Sequence, residues 1–271
     1  MKTLKNYTIL YDAVCPMCNL YTGAFVRAGM LDSKGREPYQ SSDMFSRVDT
    51  QRAVDEIALV NKETGDVIYG VQSLFFILEH SFPFLKPVFR SKSFAWCMNK
   101  LYKFISYNRR IIMPSKEQQA CAHEPHFHKG YRLAFLLFSF LCSGYILSLY
   151  APLLSPLAQE SNSLREFFVC AGQIVWQLFF ISVFKKEKSW DYLGTMMTVS
   201  LAGSLLLIPL MLMAKLFSFP PFLSAAGFLL VVLLMLLEHI RRTKIMNIPP
   251  VMSISWILYR LVVIFIFFYV Q

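Results

Sequence analysis

The sequence predicts two parts suited to two solvents: an α/β domain in water over residues 1–110, and an all-α transmembrane domain of about five helices over residues 131–271, joined by a polar linker. Three observations carry this. Apolar residues make up 55% of the 271 and the mean hydropathy is +0.45, above the roughly 45–50% of an ordinary soluble chain. Charge is unevenly spread, with 17 Lys+Arg and 12 Asp+Glu in residues 1–130 against 10 and 5 in residues 131–271. Uncharged apolar runs of about 20 residues, the length of helix that crosses a hydrocarbon core of about 30 Å, recur in the second part. A wholly soluble chain, intrinsic disorder and a disulfide scaffold are excluded, six cysteines in this length being too few for the last. The net charge of +10 comes without an aromatic-studded basic run, so it is read as orientation at a membrane surface, with no nucleic-acid partner.

The elements follow in chain order. The start, MKTLKNYTILYDAVCPMC, lacks the apolar core of a secretory signal, which places the first domain in the cytoplasm. Tyr7–Tyr11 (YTILY) is a β-rich run ending at Asp12. A loop with two cysteines leads into a predicted helix over residues 19–30, with Leu20, Ala24 and Phe25 on one face. Residues 56–61 (EIALVN) and 66–69 (DVIY) flank Lys62-Glu63-Thr64-Gly65, a turn whose glycine suits a hairpin. Helical patterning returns over residues 71–79 and 94–106. The order βα, a middle segment, then ββα is that of a thioredoxin-like core. Residues 111–130 are polar, carry two prolines and read as the linker.

Beyond the linker, residues 133–151, 167–184, 192–214 and 216–237 qualify as spans, and residues 251–270 qualify if Arg260 is tolerated inside them. Ser218, Pro220 and Pro221 break what would otherwise be one overlong run. With the first domain inside, the inner loop ends hold Lys129, Arg132, Lys185, Lys186, Lys188, Arg241, Arg242 and Lys244, and the outer loops only Arg165 and Lys215. Eight against two predicts the N-terminus inside and the C-terminus on the opposite side.

Cys15-Pro16-Met17-Cys18 carries the chemistry. Between a strand and the first turn of a helix, Cys15 meets free backbone N–H groups and the positive end of the helix dipole. Both favour a thiolate and lower its pKa from about 8.5 toward roughly 3.5–7.5. Cys15 is then the nucleophile, and Cys18, one turn on, the thiol that resolves a mixed disulfide. Pro16 has no N–H and a fixed φ, which stiffens the turn. Asp12 has two readings: a general base for Cys18, or a loop-capping carboxylate that accepts N–H bonds.

At these residues the chain resembles the DCC family of predicted thiol-disulfide oxidoreductases, whose signature is Asp-x-x-Cys-x-x-Cys, here Asp12, Cys15 and Cys18 in YDAVCPMCN. The likeness runs through the helix at residues 70–80, the segment LYKFISYNRR and Cys121, covering roughly residues 6–121. It implies a thioredoxin-like fold, exchange with a thiol or disulfide partner, and no cofactor. Two departures stand: Ala13 follows the Asp where the family has Gly, and no proline precedes EIALVN, where thioredoxins hold their substrate-binding proline.

The alternatives are a redox-regulated membrane carrier, or a non-catalytic membrane protein whose first domain binds a partner or zinc, the latter with Cys15 and Cys18 joined by two of Cys121, His123, His126 and His128 in a tetrahedral Cys₂His₂ or Cys₃His set. The spacing in CAHEPHFH matches no standard finger, and Pro125 interrupts any helical register. The remaining nominated residues have plain readings. Asn108, Arg109 and Arg110 either hold a phosphate or a partner carboxylate or, the plainer reading, answer the dipole at a helix C-terminus, and Cys97 is a buried small apolar residue. Glu238 and His239 belong to an interfacial charge cluster, and Cys142 and Cys170 are separate buried thiols. Arg260 is the membrane candidate: an Arg that deep faces protein or water with a partner such as Gln173, Gln177, Tyr259 or a lipid phosphate, as an anchor or in a transport or ligand role.

Overall fold

The structure, a computed structural model, describes residues 2–116, 125–155, 157 and 164–269. The chain divides into two compact units, Met1–Tyr131 and Arg132–Gln271.

The first unit is built on a mixed sheet of β1 (Tyr7–Tyr11), β2 (Arg36–Pro38), β3 (Ala58–Asn61) and β4 (Val67–Tyr69) in the order β2-β1-β3-β4. β1 runs parallel to β2, with Ile9 opposite Arg36, and antiparallel to β3, with Ile9 opposite Leu59. β3 in turn runs antiparallel to β4. Thr8, Ile9, Leu10 and Tyr11 are all buried. A central strand covered on both faces reads as a continuous apolar run rather than an alternating one. One face packs Ile9 and Leu59 against Leu31, Ile57 and Ile77; the other packs Leu10, Ala58 and Val60 against Tyr39 and Val54.

Around the sheet lie α1 (Pro16–Arg27), α2 (Thr50–Asp55), α3 (Val71–Ser81), α4 (Lys86–Arg90) and α5 (Lys92–Ile112). α1 begins one turn earlier than its periodicity predicts because Pro16 at N1 loses no hydrogen bond there. It stops at Arg27 because Gly29 takes φ +70°, which lets Gly29 N–H bond Val26 C=O and Met30 N–H bond Phe25 C=O, closing the last turn. Leu20, expected inside, is 60% exposed. The inward face carries Cys18 and Thr22, with Tyr21, Phe25 and Val26 partly covered. Gly70 holds φ +64° and ψ −141° between β4 and α3, and a Cβ there would lie 2.6 Å from Glu56 Oε2; glycine alone fits both constraints.

The second unit comprises α6 (Lys129–Tyr150), α7 (Arg165–Phe184), α8 (Ser189–Leu216), α9 (Pro221–Ile245) and α10 (Val251–Tyr269), the first of which starts just before the unit boundary. α6 to α9 are long and apolar enough to cross a membrane, and α10 is apolar over Val251–Ile266, the part whose side chains are described. α8 and α9 part where Ser218 takes φ +50° and Pro220 is extended, the break expected from composition.

Candidate active site: a buried dithiol beside an arginine

Cys15 is the N-cap of α1, with extended backbone at φ −88°, ψ 111°. Its N–H donates to Asp12 C=O (3.2 Å) and its C=O accepts from Asn19 N–H (3.0 Å), so the turn is tied at both ends. Both thiols are free, and both are buried, Cys15 at 0% and Cys18 at 3% exposure, among Tyr11, Met17 and Tyr21.

Their ionisation is split. The Cys15 thiol is lowered to about 6, chiefly because Cys18 offers its S–H to the thiolate. Burial opposes this, Arg109 and the Cys18 amide reinforce it, and the charge of Asp12 works against it. As a neutral thiol Cys15 makes no capping hydrogen bond, so the amide matters for the anion. Cys18 is pushed well above the usual thiol range, first because its proton is held by Cys15 and then by burial. The shared proton therefore sits on Cys18, and Cys15 is the sulfur that ionises first.

Arg109 corrects the sequence reading. Instead of answering a helix dipole at the surface, it is 4% exposed. Its Nη2 donates to Val54 C=O (2.6 Å), and its Nη1 to Asp55 C=O (3.1 Å) and Ser106 Oγ (3.1 Å), at the end of α2. Asp12 Oδ2 stands 3.7 Å from Nη2, an ion pair without a hydrogen bond. The negative charges of the cysteines and Asp12 hold the guanidinium above its ordinary pKa despite burial. The available signal is spacing: Tyr102, Ser106 and Arg109 lie on one stripe of α5, and Tyr102 Oη accepts from Ile57 N–H at 3.0 Å. Cys97, on the opposite part of that helix, is exposed, contrary to expectation.

Asp12 makes the contacts of its loop-capping reading. Oδ1 accepts from Val14 N–H (3.2 Å) and Gln40 Nε2 (2.8 Å), a capping role, while buried Oδ2 makes no hydrogen bond. Gln40 Oε1 also accepts from Ala13 N–H (3.3 Å), and Ser115 Oγ donates to Val14 C=O (2.8 Å). The loop before Cys15 is thus clamped from two sides by residues with no motif to announce them.

Of the alternative zinc ligands, Cys121 and His123 lie outside the described residues. His126 is engaged with Asp55, Nδ1 to Oδ2 at 2.8 Å and backbone N–H to Oδ1 at 2.7 Å. His128 packs against Tyr107 and Tyr131. Among the described residues no three His, Cys, Asp or Glu side chains come together as a metal site.

In the second unit, Arg260 stacks over the Trp256 ring at 4.9 Å. His239 is not in an interfacial cluster: it is buried, with Nε2 3.1 Å from Tyr192 Oη and Nδ1 3.2 Å from Ser253 Oγ, while Glu238 alone pairs with Arg241 and Arg242. Cys142 and Cys170 are free thiols. Compared with protein-family models, with curated proteins and with solved structures, the chain matches none.

Proposed function

We propose that the first unit is a thioredoxin-like thiol-disulfide oxidoreductase of the DCC type, held at the cytoplasmic face of a membrane by a five-helix domain whose C-terminus lies on the far side. The observation that carries this reading is the divided ionisation of Cys15 and Cys18 at a helix N-terminus beside Arg109. The strand order β2-β1-β3-β4, with β1 and β2 parallel and β3 reversed, supports the fold.

In this reading the Cys15 thiolate attacks one sulfur of a partner disulfide, forming a mixed disulfide and expelling the other partner sulfur as a thiolate, which takes a proton from solvent. Cys18 then gives its proton to Asp12 Oδ2, the carboxylate oxygen without a hydrogen bond, and attacks Cys15 Sγ. The second partner sulfur leaves and takes that proton. Two electrons pass from the dithiol to the partner, which ends as two thiols. Arg109 stabilises the thiolates through charge, held in place by carbonyls it cannot lose without exposing them. Because Cys15 is fully covered, exchange requires the loop clamped by Gln40 and Ser115 to open.

The test is a trap. Cys18→Ser in cells should accumulate a Cys15-linked mixed disulfide that a reductant releases, and Cys15→Ser should accumulate none. Absence of adducts in Cys18→Ser, together with stoichiometric zinc in the purified protein, would replace this reading with the metal-binding one.

A further inference from the structure

A second group of polar side chains lies on the seam where α7 packs against α10. On α7 the residues Glu166, Cys170, Gln173 and Gln177 recur at intervals of four, three and four, which sets them on one face. Gln177 is fully buried and well engaged on its carbonyl side: its Oε1 accepts from Tyr192 Oη at 2.7 Å and from Ser255 Oγ at 3.1 Å. Toward the start of the helix, Cys170 and Glu166 lie within electrostatic reach of Arg260 on α10. The two helices run antiparallel, since Ser255 meets Gln177 while Tyr259 Oη donates to Val169 C=O at 2.7 Å. Gln173 therefore sits between the Gln177 group and Arg260.

Gln173 is only 3% exposed, yet neither atom of its amide has a hydrogen-bond partner among the described residues, and neither Gln177 Nε2 nor Arg260 Nε has one. Leaving such groups unpaired in an apolar bundle forfeits their hydration with nothing in return. A guanidinium there also demands a counter-charge. Arg260 has the Trp256 face but no ion pair among the described residues. The nearest carboxylate on the facing helix, Glu166, is held by Arg165 through Nε at 3.0 Å and Nη2 at 2.8 Å. Three unused donors and the net positive charge left by Arg165 and Arg260 against the single carboxylate of Glu166 are complementary to an anion with at least two acceptor oxygens.

We propose that this seam is an oxyanion-binding site, in which Arg260 supplies the charge and the Gln173 and Gln177 amides the directed donors, for a carboxylate or phosphate group. Two sources share that chemistry. One is a small free anion. The other is the headgroup of an acidic lipid, whose chain would lie in the groove of about 450 Å³ formed by Phe168, Val169, Tyr259, Val263 and Ile266, with Arg165 also at its wall. The site is independent of the dithiol chemistry.

The experiment is a thermal melt of the full-length protein in neutral detergent at constant ionic strength, with sodium chloride as baseline against sodium acetate, sodium phosphate, and phosphatidylglycerol or phosphatidylcholine added to the micelles. The expected result is a saturable rise of about 5 °C at a large excess of the fitting anion. A response to acetate or phosphate identifies a free anion, and a response to phosphatidylglycerol but not phosphatidylcholine identifies a headgroup. The rise should vanish in Arg260→Gln and in Gln173→Met. The latter should melt no lower than wild type in chloride, because it removes an unsatisfied amide at similar volume. No rise with any probe, or a rise undiminished in Gln173→Met, would overturn the site.

Discussion

One proton shared between Cys15 and Cys18, in the field of the Arg109–Asp12 ion pair, makes the reactivity of the pair a matter of charge placement. Alkylation of reduced protein with a small reagent should give a Cys15 rate that is half-maximal near pH 6. Arg109→Gln removes a favourable charge and should move that midpoint up by about one unit, whereas Asp12→Asn removes an unfavourable one and should move it down. If Asp12 takes the Cys18 proton as proposed, Asp12→Asn should at the same time slow closure of the Cys15–Cys18 disulfide, an effect that its charge alone would not give. Stability carries the same sign. A thiol lowered from 9.0 unfolded to about 6 folded stabilises the reduced fold fully above pH 9 and loses that contribution as pH falls through 6. The difference in melting temperature between reduced wild type and Cys15→Ser should therefore grow from pH 6 to pH 9. Cys18, shifted the opposite way, removes stability only above its unfolded value.

α5 shows how one helix separates a working face from a plain one. Tyr102, Ser106 and Arg109 point at the ends of α2 and β3, while Cys97 and Trp96 are exposed. A polymer-linked maleimide too large to enter the core should label Cys97 in folded protein, and Cys15 and Cys18 only after denaturation. Equal labelling would mean that the loop over Cys15 stands open. At the join of β4 and α3, Gly70→Ala forces a Cβ into left-handed backbone and toward Glu56 Oε2. It should cost about 1–3 kcal/mol in chemical denaturation of the reduced protein.

At the scale of the whole molecule, the described residues include four helices, α6 to α9, long and apolar enough to cross a membrane. The protein should resist alkaline carbonate and require detergent for extraction. The distribution of Lys and Arg adds a sharper expectation. A reporter fused after Lys129 should remain cytoplasmic and one fused after Gln271, outside the described residues, should be exported. Both on one side would mean that α10, with Arg260 at its middle, does not complete a crossing.

What was legible in the amino-acid order is whatever a short stretch encodes alone: the YTILY strand, the hairpin around Gly65, the apolar runs, and the cysteine pair ahead of a helix. Each rests on side-chain period, turn chemistry or transfer free energy summed over neighbours in the chain. β2 escaped notice because Arg36–Pro38 is three residues with no apolar member, a strand made by its partner rather than by its own preference. The place of Arg109 is illegible in the sequence for a related reason. Whether a cation at a helix end meets water or a buried thiol depends on what α2 brings to it from some 54 residues away. Gln40, Ser115, His239 and Gln173 likewise acquire meaning only from contacts distant in sequence. The elements are local and so readable, but the field around Cys15 is assembled from residues 12, 40, 55, 109 and 115, and burial, which sets its strength, exists only once the chain has packed.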